Sequence, residues 1–458
     1  MKLVRFNIAE ENDYLSSHAG LALIGQLLSR TQLREKLDRF GFAKNLNPSI
    51  SHGDVVVAMI GLLALGKPDF DAIEAFREDD FFSYSLGIPH VPSSPTLRQR
   101  LDLGGGLFDP VIEEESARLL AKVAPALTTV ETKDGARVPL DVDTSPFDNS
   151  NTKKEGVSFT YKGTWGYTPI FAYLGAEGYL AACDLREGKC HSQNGTPDFL
   201  GRAIKRAREI TSQPILVRMD SGFDSRENLV IMKGFNGSER KVDWLIKRNL
   251  RGESLEDWEN LAVREGHLAK ESREDKQIWR GSVKREVKDV GSTRIVYEVV
   301  VRPAKDDQPS LWSDLEVSTW WTSLSGEEEE VIALYEGHGT SEQFHSELKS
   351  DMGLERLPSG RFATNGLLLT LGMMAYNLLR LCGQESLREE NGRRIRRPSH
   401  RRSASRRRLR TVIQDLMYMA CRLIRHARRL WLSFGRNSVW KPHWLYLYGR
   451  LQAQGPDL

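Results

Sequence analysis

YEGHGTSEQFHSELK, residues Tyr335 to Lys349, spaces Tyr335, Glu342 and Lys349 at intervals of seven, with His338 three after the first and four before the second. On an α-helix these spacings put all four on one face. A surface helix normally buries an apolar stripe and turns charge outward. This stripe carries a phenol, an imidazole, a carboxylate and an ammonium. Such a face suits a carboxylate that holds a metal ion while its neighbours hold phosphate. The spacing alone equally allows a solvated charged face, so other stretches must separate the two readings.

Two stretches do so. RVPLDVDT, residues 137–144, reads as a strand ending in Asp141 and Asp143, and ILVRMDSGFD, residues 215–224, as a short apolar strand ending at Asp220 before a Ser-Gly turn. In a strand Asp141 and Asp143 point to the same side, so spacing does not choose between them. Asp148 and Asp224 read as a turn residue and a helix cap. D-T-S at Asp143, D-S-G-F at Asp220 and Y-x2-H-x3-E-x6-K from Tyr335 resemble the three blocks of a DDE transposase. The third block is similar to the Y-x2-R-x3-E-x6-K signature of the IS4 group. LDVDTSPFDNSNTKKEGVSFTYKGTWGYTPIFAYLG resembles the IS1380 family within that group. The resemblance runs from about residue 20 to 380, and His338 stands where the family has an arginine. A histidine offers phosphate less positive charge and no bidentate fork.

The resemblance implies a DNA transposase of a bacterial insertion sequence, binding terminal inverted repeats and performing metal-dependent cleavage and strand transfer. Two divalent ions ~3.5–4 Å apart can serve both ends of an in-line displacement. Hard ions such as Mg²⁺ take oxygen ligands, few of them from protein. Asp143, Asp220 and Glu342 meet that need for two Mg²⁺, with Mn²⁺ able to substitute. The D-T-S match selects Asp143 over Asp141, with Asp143 bridging the ions and Asp220 and Glu342 each helping to hold one. Tyr335 and Lys349 would contact phosphates, with His338 and His345 as further phosphate partners. The implied partners are double-stranded DNA, as transposon ends and target, and further copies of the chain in a homodimer or higher assembly. The expected location is the bacterial cytoplasm at the nucleoid. A two-metal nuclease that cuts without joining, and a non-catalytic DNA-binding derivative, are the alternatives. The presence of all three acids speaks against the second.

Composition fits these expectations. The chain has 458 residues and a net charge of +3, but residues 391–458 hold seventeen Lys/Arg against two acids. A basic tail on an acidic body suggests a polyanionic partner. Cys183, Cys190, Cys382 and Cys421 form no framework and read as reduced thiols, and the spacing of Cys183, Cys190 and His191 fits no zinc motif. The chain does not open on a cationic-apolar-small leader. The apolar run 366–379 is shorter than about 20 residues and reads as a core helix.

Along the chain, residues 1–132 read as a helical domain that binds DNA ends. Ser94 is a candidate cap and Pro95 a first helical residue; Arg98 and Arg100 follow and could enter a groove. Residues 133–247 alternate three strands, a helix, a strand, a helix and a strand, the order of an RNase H-like α/β core. In that core the first and fourth strands lie side by side, bringing Asp143 to Asp220. Residues 248–326 read as a β-rich insertion. Trp320, Trp321 and Trp312 in it are candidates for stacking a base extruded at the cut, with at most one of the adjacent pair reaching DNA. Residues 327–390 carry the acidic helix, expected over 327–350. Residues 391–458 form the basic C-terminus, with ten arginines in 391–410 and helical periodicity over 411–432. Arg406, Arg407 and Arg408 in the run are candidate phosphate contacts.

Overall fold

The computed structural model describes residues 7–10, 12–41, 50–237, 241–302, 314–388, 405–436 and 438–453. The chain forms two compact units, one of residues 104–377 and one joining residues 1–103 to 378–458.

The larger unit is built on a nine-stranded mixed sheet. Its strands are β1 (Val138–Thr144), β2 (Ile170–Leu174), β3 (Tyr179–Asp184), β4 (Ile215–Met219), β5 (Val242–Arg248), β6 (His267–Leu268), β7 (Gln277–Val287), β8 (Gly291–Arg302) and β9 (Asp314–Thr322). They lie in the order β6-β7-β8-β9-β5-β4-β1-β2-β3. β1 pairs in parallel with β4, and β4 with β5, whereas β1–β2 and β2–β3 are antiparallel. β1, β2 and β4 are buried almost throughout, which accounts for their near-continuous apolar runs. Between strands run α1 (Thr196–Ile210), α2 (Arg226–Asn236) and α3 (Leu255–Glu265). Ser225, not Asp224, caps α2, accepting from Asn228 N–H at 3.2 Å.

The stretch 248–326 does not stand apart. β9 pairs antiparallel with β5, so β7, β8 and β9 extend the same sheet, and α3 interrupts the strands. The acidic stretch is not one continuous α-helix. α4 (Glu328–Glu336) gives way to a 3₁₀ turn at Gly337–Thr340; then come α5 (Ser341–Ser346) and a π turn at Glu347–Asp351. The cause is local. The Arg218 guanidinium on β4 reaches the Leu334 carbonyl at 2.8 Å. A Cβ on Gly337 would stand 2.9 Å from that guanidinium, so a larger residue here would push on Arg218. α4 packs on the sheet through Val331, Ile332 and Tyr335 against Leu216, Leu245, Val296 and Trp320.

α6 (Phe362–Glu385) is long and apolar enough to cross a membrane by composition, but 94% of its apolar window is buried, as in a core helix. Asn377 pins it to β3, accepting from Leu180 N–H and donating to Leu180 O at 2.8 and 2.9 Å. Helix Asp109–Val123 lies in this unit, so the helical N-terminal stretch does not form one body up to residue 132.

In the smaller unit helix His52–Ala64 is buried on every side. The periodic stretch 411–432 is not a helix there. A short helix at Leu409–Val412 runs into a π turn at Ile413–Met417, followed by a hairpin of Cys421–His426 with Arg429–Ser433. Ala427 and Arg428 sit at φ of 50° and 63°, the two positive angles of a tight hairpin turn. Strand Tyr14–Ser16 pairs with Cys421–His426. That partner is some four hundred residues distant, so no local pattern could reveal it.

Candidate active site

Adjacent parallel strands carry the first two acids. Asp143 lies near the end of β1 and Asp220 directly follows β4. Both carboxyls are largely withdrawn from water. Burial pushes Asp220 up, and the charge of Asp143 pushes it further. The two carboxylates are thus close enough to repel each other. Asp220 accepts from Gly222 N–H at 2.9 Å, and among the described residues it forms no ion pair.

Asp143 is held differently. Burial pushes its carboxyl up, but hydrogen bonding from His345 outweighs burial, with help from His338 and the Thr144 N–H, and the net direction is down. His345 Nε2 lies 3.2 Å from Asp143, and its Nδ1 lies 3.0 Å from the Tyr173 hydroxyl. Burial pulls the His345 imidazole down and pushes the Tyr173 phenol far up. A neutral ring donating from Nε2 to Asp143 and accepting the Tyr173 O–H satisfies both contacts. Tyr173 on β2 pairs with Asp141 on β1.

Asp141 has a different occupation. Arg218 binds it bidentately, Nε and Nη2 lying 2.6 and 2.8 Å from its two oxygens, both side chains buried. His338 Nδ1 adds an ion pair at 3.3 Å, poorly aligned for a hydrogen bond. Burial pulls His338 down, but Asp141 outweighs it and the net direction is up, toward the imidazolium. Asp141 and Asp143, equivalent by spacing, thus differ in their neighbours. One is neutralised by a guanidinium two residues before Asp220 on the same face of β4; the other is not.

His338 and His345 flank Glu342, the candidate third acid, in sequence. They meet Asp141 and Asp143, and Glu342 stands four after one and three before the other. His338 lies in the 3₁₀ turn that precedes Glu342, and Glu342 is turned to solvent while the two histidines are buried against β1. It is exposed, and among the described residues makes no hydrogen bond or ion pair. Tyr335 packs beside Trp320 and His338 at ring separations of 5.9 and 6.2 Å. Burial pushes its phenol up to about 12, with Asp220 and Asp143 adding. Lys349 is half-buried, its ammonium 5.6 Å from the centre of the Phe147 ring.

Several expected DNA contacts are engaged within the protein. Trp320 and Trp321 are 4% and 8% exposed, so neither offers a free ring face. The cause is β9, which is an interior strand covered on both faces. Trp320 packs under α4, and Trp321 donates from Nε1 to Asp224 at 3.0 Å beneath the Arg248 guanidinium. Trp312 lies outside the described residues. Arg407 is buried, with Asp415 at 2.6 Å and the Trp440 ring beneath it, whereas Arg408 is exposed and Arg406 half-buried. Arg98 is exposed with its guanidinium 5.3 Å from the Phe70 ring centre, and Arg100 is half-buried. The cap of their helix is Ser93, accepting from Thr96 N–H at 3.3 Å. Ser94 turns to Asp71 and Glu74 instead, so carboxylates already occupy that helix start.

A family model described as Transposase DDE domain group 1 matches residues 5–456. The chain belongs to the DDE transposases. No curated protein matches it. Among solved structures it is similar to a chain of the piggyBac transposase synaptic complex with hairpin DNA. That match has 12% identity and a TM-score of 0.41, covering 88% of this chain and 80% of the other, too loose a likeness to add to the family match. DDE transposases are generally dependent on divalent metal. Among the described residues the ligand atoms of His267, Glu328 and Glu329 lie within 4.8 Å of one another, whereas Asp143, Asp220 and Glu342 are not drawn together into such a group. What Asp143 and Asp220 offer an ion is a pair of desolvated oxygen donors, Asp220 raised by burial and by the charge of Asp143, with His338 and Lys247 opposing from a distance and no ion pair to Asp220 among the described residues.

Proposed function

We propose that the chain is the transposase of a bacterial insertion sequence, related to the IS1380 branch, which binds terminal inverted repeats and cuts and joins DNA with Asp143, Asp220 and Glu342. The observation that carries this reading is the pair of half-buried carboxylates at the ends of neighbouring parallel strands, with the cation of β4 spent on Asp141. The pairing β3-β2-β1-β4-β5 supports an RNase H-like core. The position of Glu342 between His338 and His345 supports it as the third acid.

Asp143 and Asp220 would hold Mg²⁺, or Mn²⁺ in its place, with Glu342 completing the oxygen set. When bound, the two ions supply an activated oxygen nucleophile and neutralise the leaving oxygen. The rest is work for the chain itself. Tyr173 and His345 hold Asp143 in one orientation. Arg218 removes the charge of Asp141 from the site. Lys349, and Tyr335 through its hydroxyl, bind phosphates of the transferred end, and His338 lends positive charge where its relatives carry arginine. Strand transfer needs two DNA ends at once, which favours a dimer or larger assembly.

The test is incubation of purified protein with Mg²⁺ and DNA carrying the inverted repeats that flank its reading frame. Products are resolved on denaturing and native gels. The expected result is cleavage at the repeat ends with joined products, both lost in Glu342→Gln. Cleavage without joining would favour the nuclease alternative, and binding without cleavage the non-catalytic one.

A further inference from the structure

The buried state of Trp320 and Trp321 leaves the site without the aromatic surface expected in the insertion. Another aromatic surface lies close to the carboxylates. Three residues after Thr144, the chain enters a small three-stranded sheet of Phe147–Asp148, Trp165–Tyr167 and Ser158–Phe159. Phe159 and Trp165 face each other across its hairpin, with ring centroids 5.9 Å apart at 69°. Both rings are open to solvent, at 56% and 55% exposure, and Tyr161 at the turn is 62% exposed. Apolar rings of this size are normally covered, and three on one short hairpin need a reason.

The hairpin is tied to the site at two points. Phe147, which pairs with Tyr167, carries Lys349 over its ring. Tyr161 is open to solvent but feels the site's charges. Burial pushes its phenol up, Thr144 opposes this, and the charges of Asp143 and Asp220 add to it. Lys162, at the tip, is exposed and close enough to Lys349 for the two charges to repel. The turn itself is firm. Thr160 N–H donates to Thr164 O at 2.8 Å, Gly163 N–H to Thr160 O at 3.0 Å, and Gly163 takes a φ of 80°. Open rings beside lysines, held on a rigid turn at the edge of a phosphodiester-cutting site, are the chemistry of a single-strand stacking platform.

We propose that Phe159, Tyr161 and Trp165 stack an unpaired base of the DNA strand beside the phosphate cut at Asp143 and Asp220, with Lys162 on the neighbouring phosphate. The proposal rests on the transposase reading and specifies how that site holds an opened end. A duplex must be unpaired locally to bring a phosphate into a recessed site, and base stacking recovers part of that cost.

The experiment uses the full chain and two fluorescein-labelled probes of equal length, a blunt duplex and a duplex with a short single-stranded tail. Affinities are measured by anisotropy at one salt concentration, with Ca²⁺ present. Stacking is worth about 1–3 kcal/mol per base, so wild type should prefer the tailed probe by roughly 5–150-fold. Phe159→Ala/Trp165→Ala should lose that preference while binding the blunt duplex normally. Trp165→Phe, which keeps an aromatic ring, should retain most of it and guards against a folding artefact. A 2-aminopurine in the tail should change fluorescence with wild type and not with the double variant. Equal affinity of wild type for both probes, or an unchanged preference in a folded double variant, overturns the platform. A double variant that instead lowers the sedimentation mass assigns these rings to contact between copies and also overturns it. Failure of the transposase reading shows separately, as no cleavage by wild type with its own repeats and Mg²⁺.

Discussion

Arg218 binds both carboxylate oxygens of Asp141, through Nε at 2.6 Å and Nη2 at 2.8 Å, in a pair closed to solvent. Removing one partner of a buried pair strands the other charge and costs about 3–5 kcal/mol. Asp141→Ala should therefore lower the melting temperature sharply without metal, whereas Asp143→Ala should abolish cleavage and leave melting nearly unchanged. Thermal denaturation of the two variants beside a cleavage assay checks this. A stable but inactive Asp141→Ala would return that acid to the metal site.

Asp220 carries a desolvated carboxyl whose strongest charge influence is another carboxylate, Asp143, outweighing His338 and Lys247. Without metal this repulsion is a cost, and relief of it by a cation is a gain. Asp220→Asn should melt slightly higher than wild type in chelator and lose the increase that Mg²⁺ or Mn²⁺ gives wild type. At one hundred times its dissociation constant a ligand adds about 2.7 kcal/mol. Glu342→Gln should leave the chelated protein unchanged, since Glu342 is exposed and unpaired, yet lose cleavage. An equal Mn²⁺ response in Asp220→Asn and wild type would rule out Asp220 as a ligand.

Period-two patterns were sufficient to place β1 and β4, because each is set by local burial, but the 3.6 spacing from Tyr335 did not show the 3₁₀ turn at Gly337–Thr340. They could not separate Asp141 from Asp143, because that difference is made by Arg218, 77 residues from Asp141. A basic residue two before an acid on one strand face was the available signal. Whether one of Trp320 and Trp321 reaches solvent could not be read, because sequence does not show whether β9 is an edge or an interior strand. The hairpin Cys421–Ser433 imitated a helix because its partner, Tyr14–Ser16, lies at the other end of the chain.

Tyr173 sets the His345 ring by donating to Nδ1, which leaves Nε2–H for Asp143. Tyr173→Phe removes that donor while keeping the ring. Loss of a partner just outside a metal site typically costs about 10–100-fold in affinity or activity. The expected outcome is a higher Mg²⁺ requirement for cleavage, with DNA affinity intact. Cleavage titrated with Mg²⁺ separates the two, and an unchanged metal requirement would reduce Tyr173 to a packing residue.

Glu253 ties the insertion together. It accepts from Arg285 at 2.7 Å, Trp258 Nε1 at 2.9 Å and Arg248, whose guanidinium also lies over Trp321. Burial pushes its carboxyl up, but these donors outweigh burial and bring it down to about 2. A depressed folded value means the stabilisation is complete above the ordinary value of 4.5 and is lost as pH falls toward 2. Wild type should therefore melt well above Glu253→Gln at neutral pH, and the gap should close on acidification below 4.5. A gap that stays constant with pH would show that shape, not charge, holds the strands.

The arginine run offers a cleaner test than truncation of the tail. Cutting at residue 391 would remove Cys421–His426 and leave Tyr14–Ser16 without its strand partner. It would also remove Arg407 and Asp415, an ion pair within the smaller unit. Loss of DNA binding after such a cut would report unfolding as readily as lost phosphate contacts. Residues 389–404, outside the described structure, hold Arg393, Arg394, Arg396, Arg397, Arg401 and Arg402. Replacing these six by serine removes charge and spares every described contact. Each neutralised phosphate adds about 0.9 to the slope of log K against log salt, so the slope should fall by up to about 5. Discrimination between repeat ends and random duplex should survive, since nonspecific phosphate contact carries no sequence information. Binding titrations over a range of salt give both quantities. An unchanged slope in the substituted protein would mean that these arginines do not meet DNA.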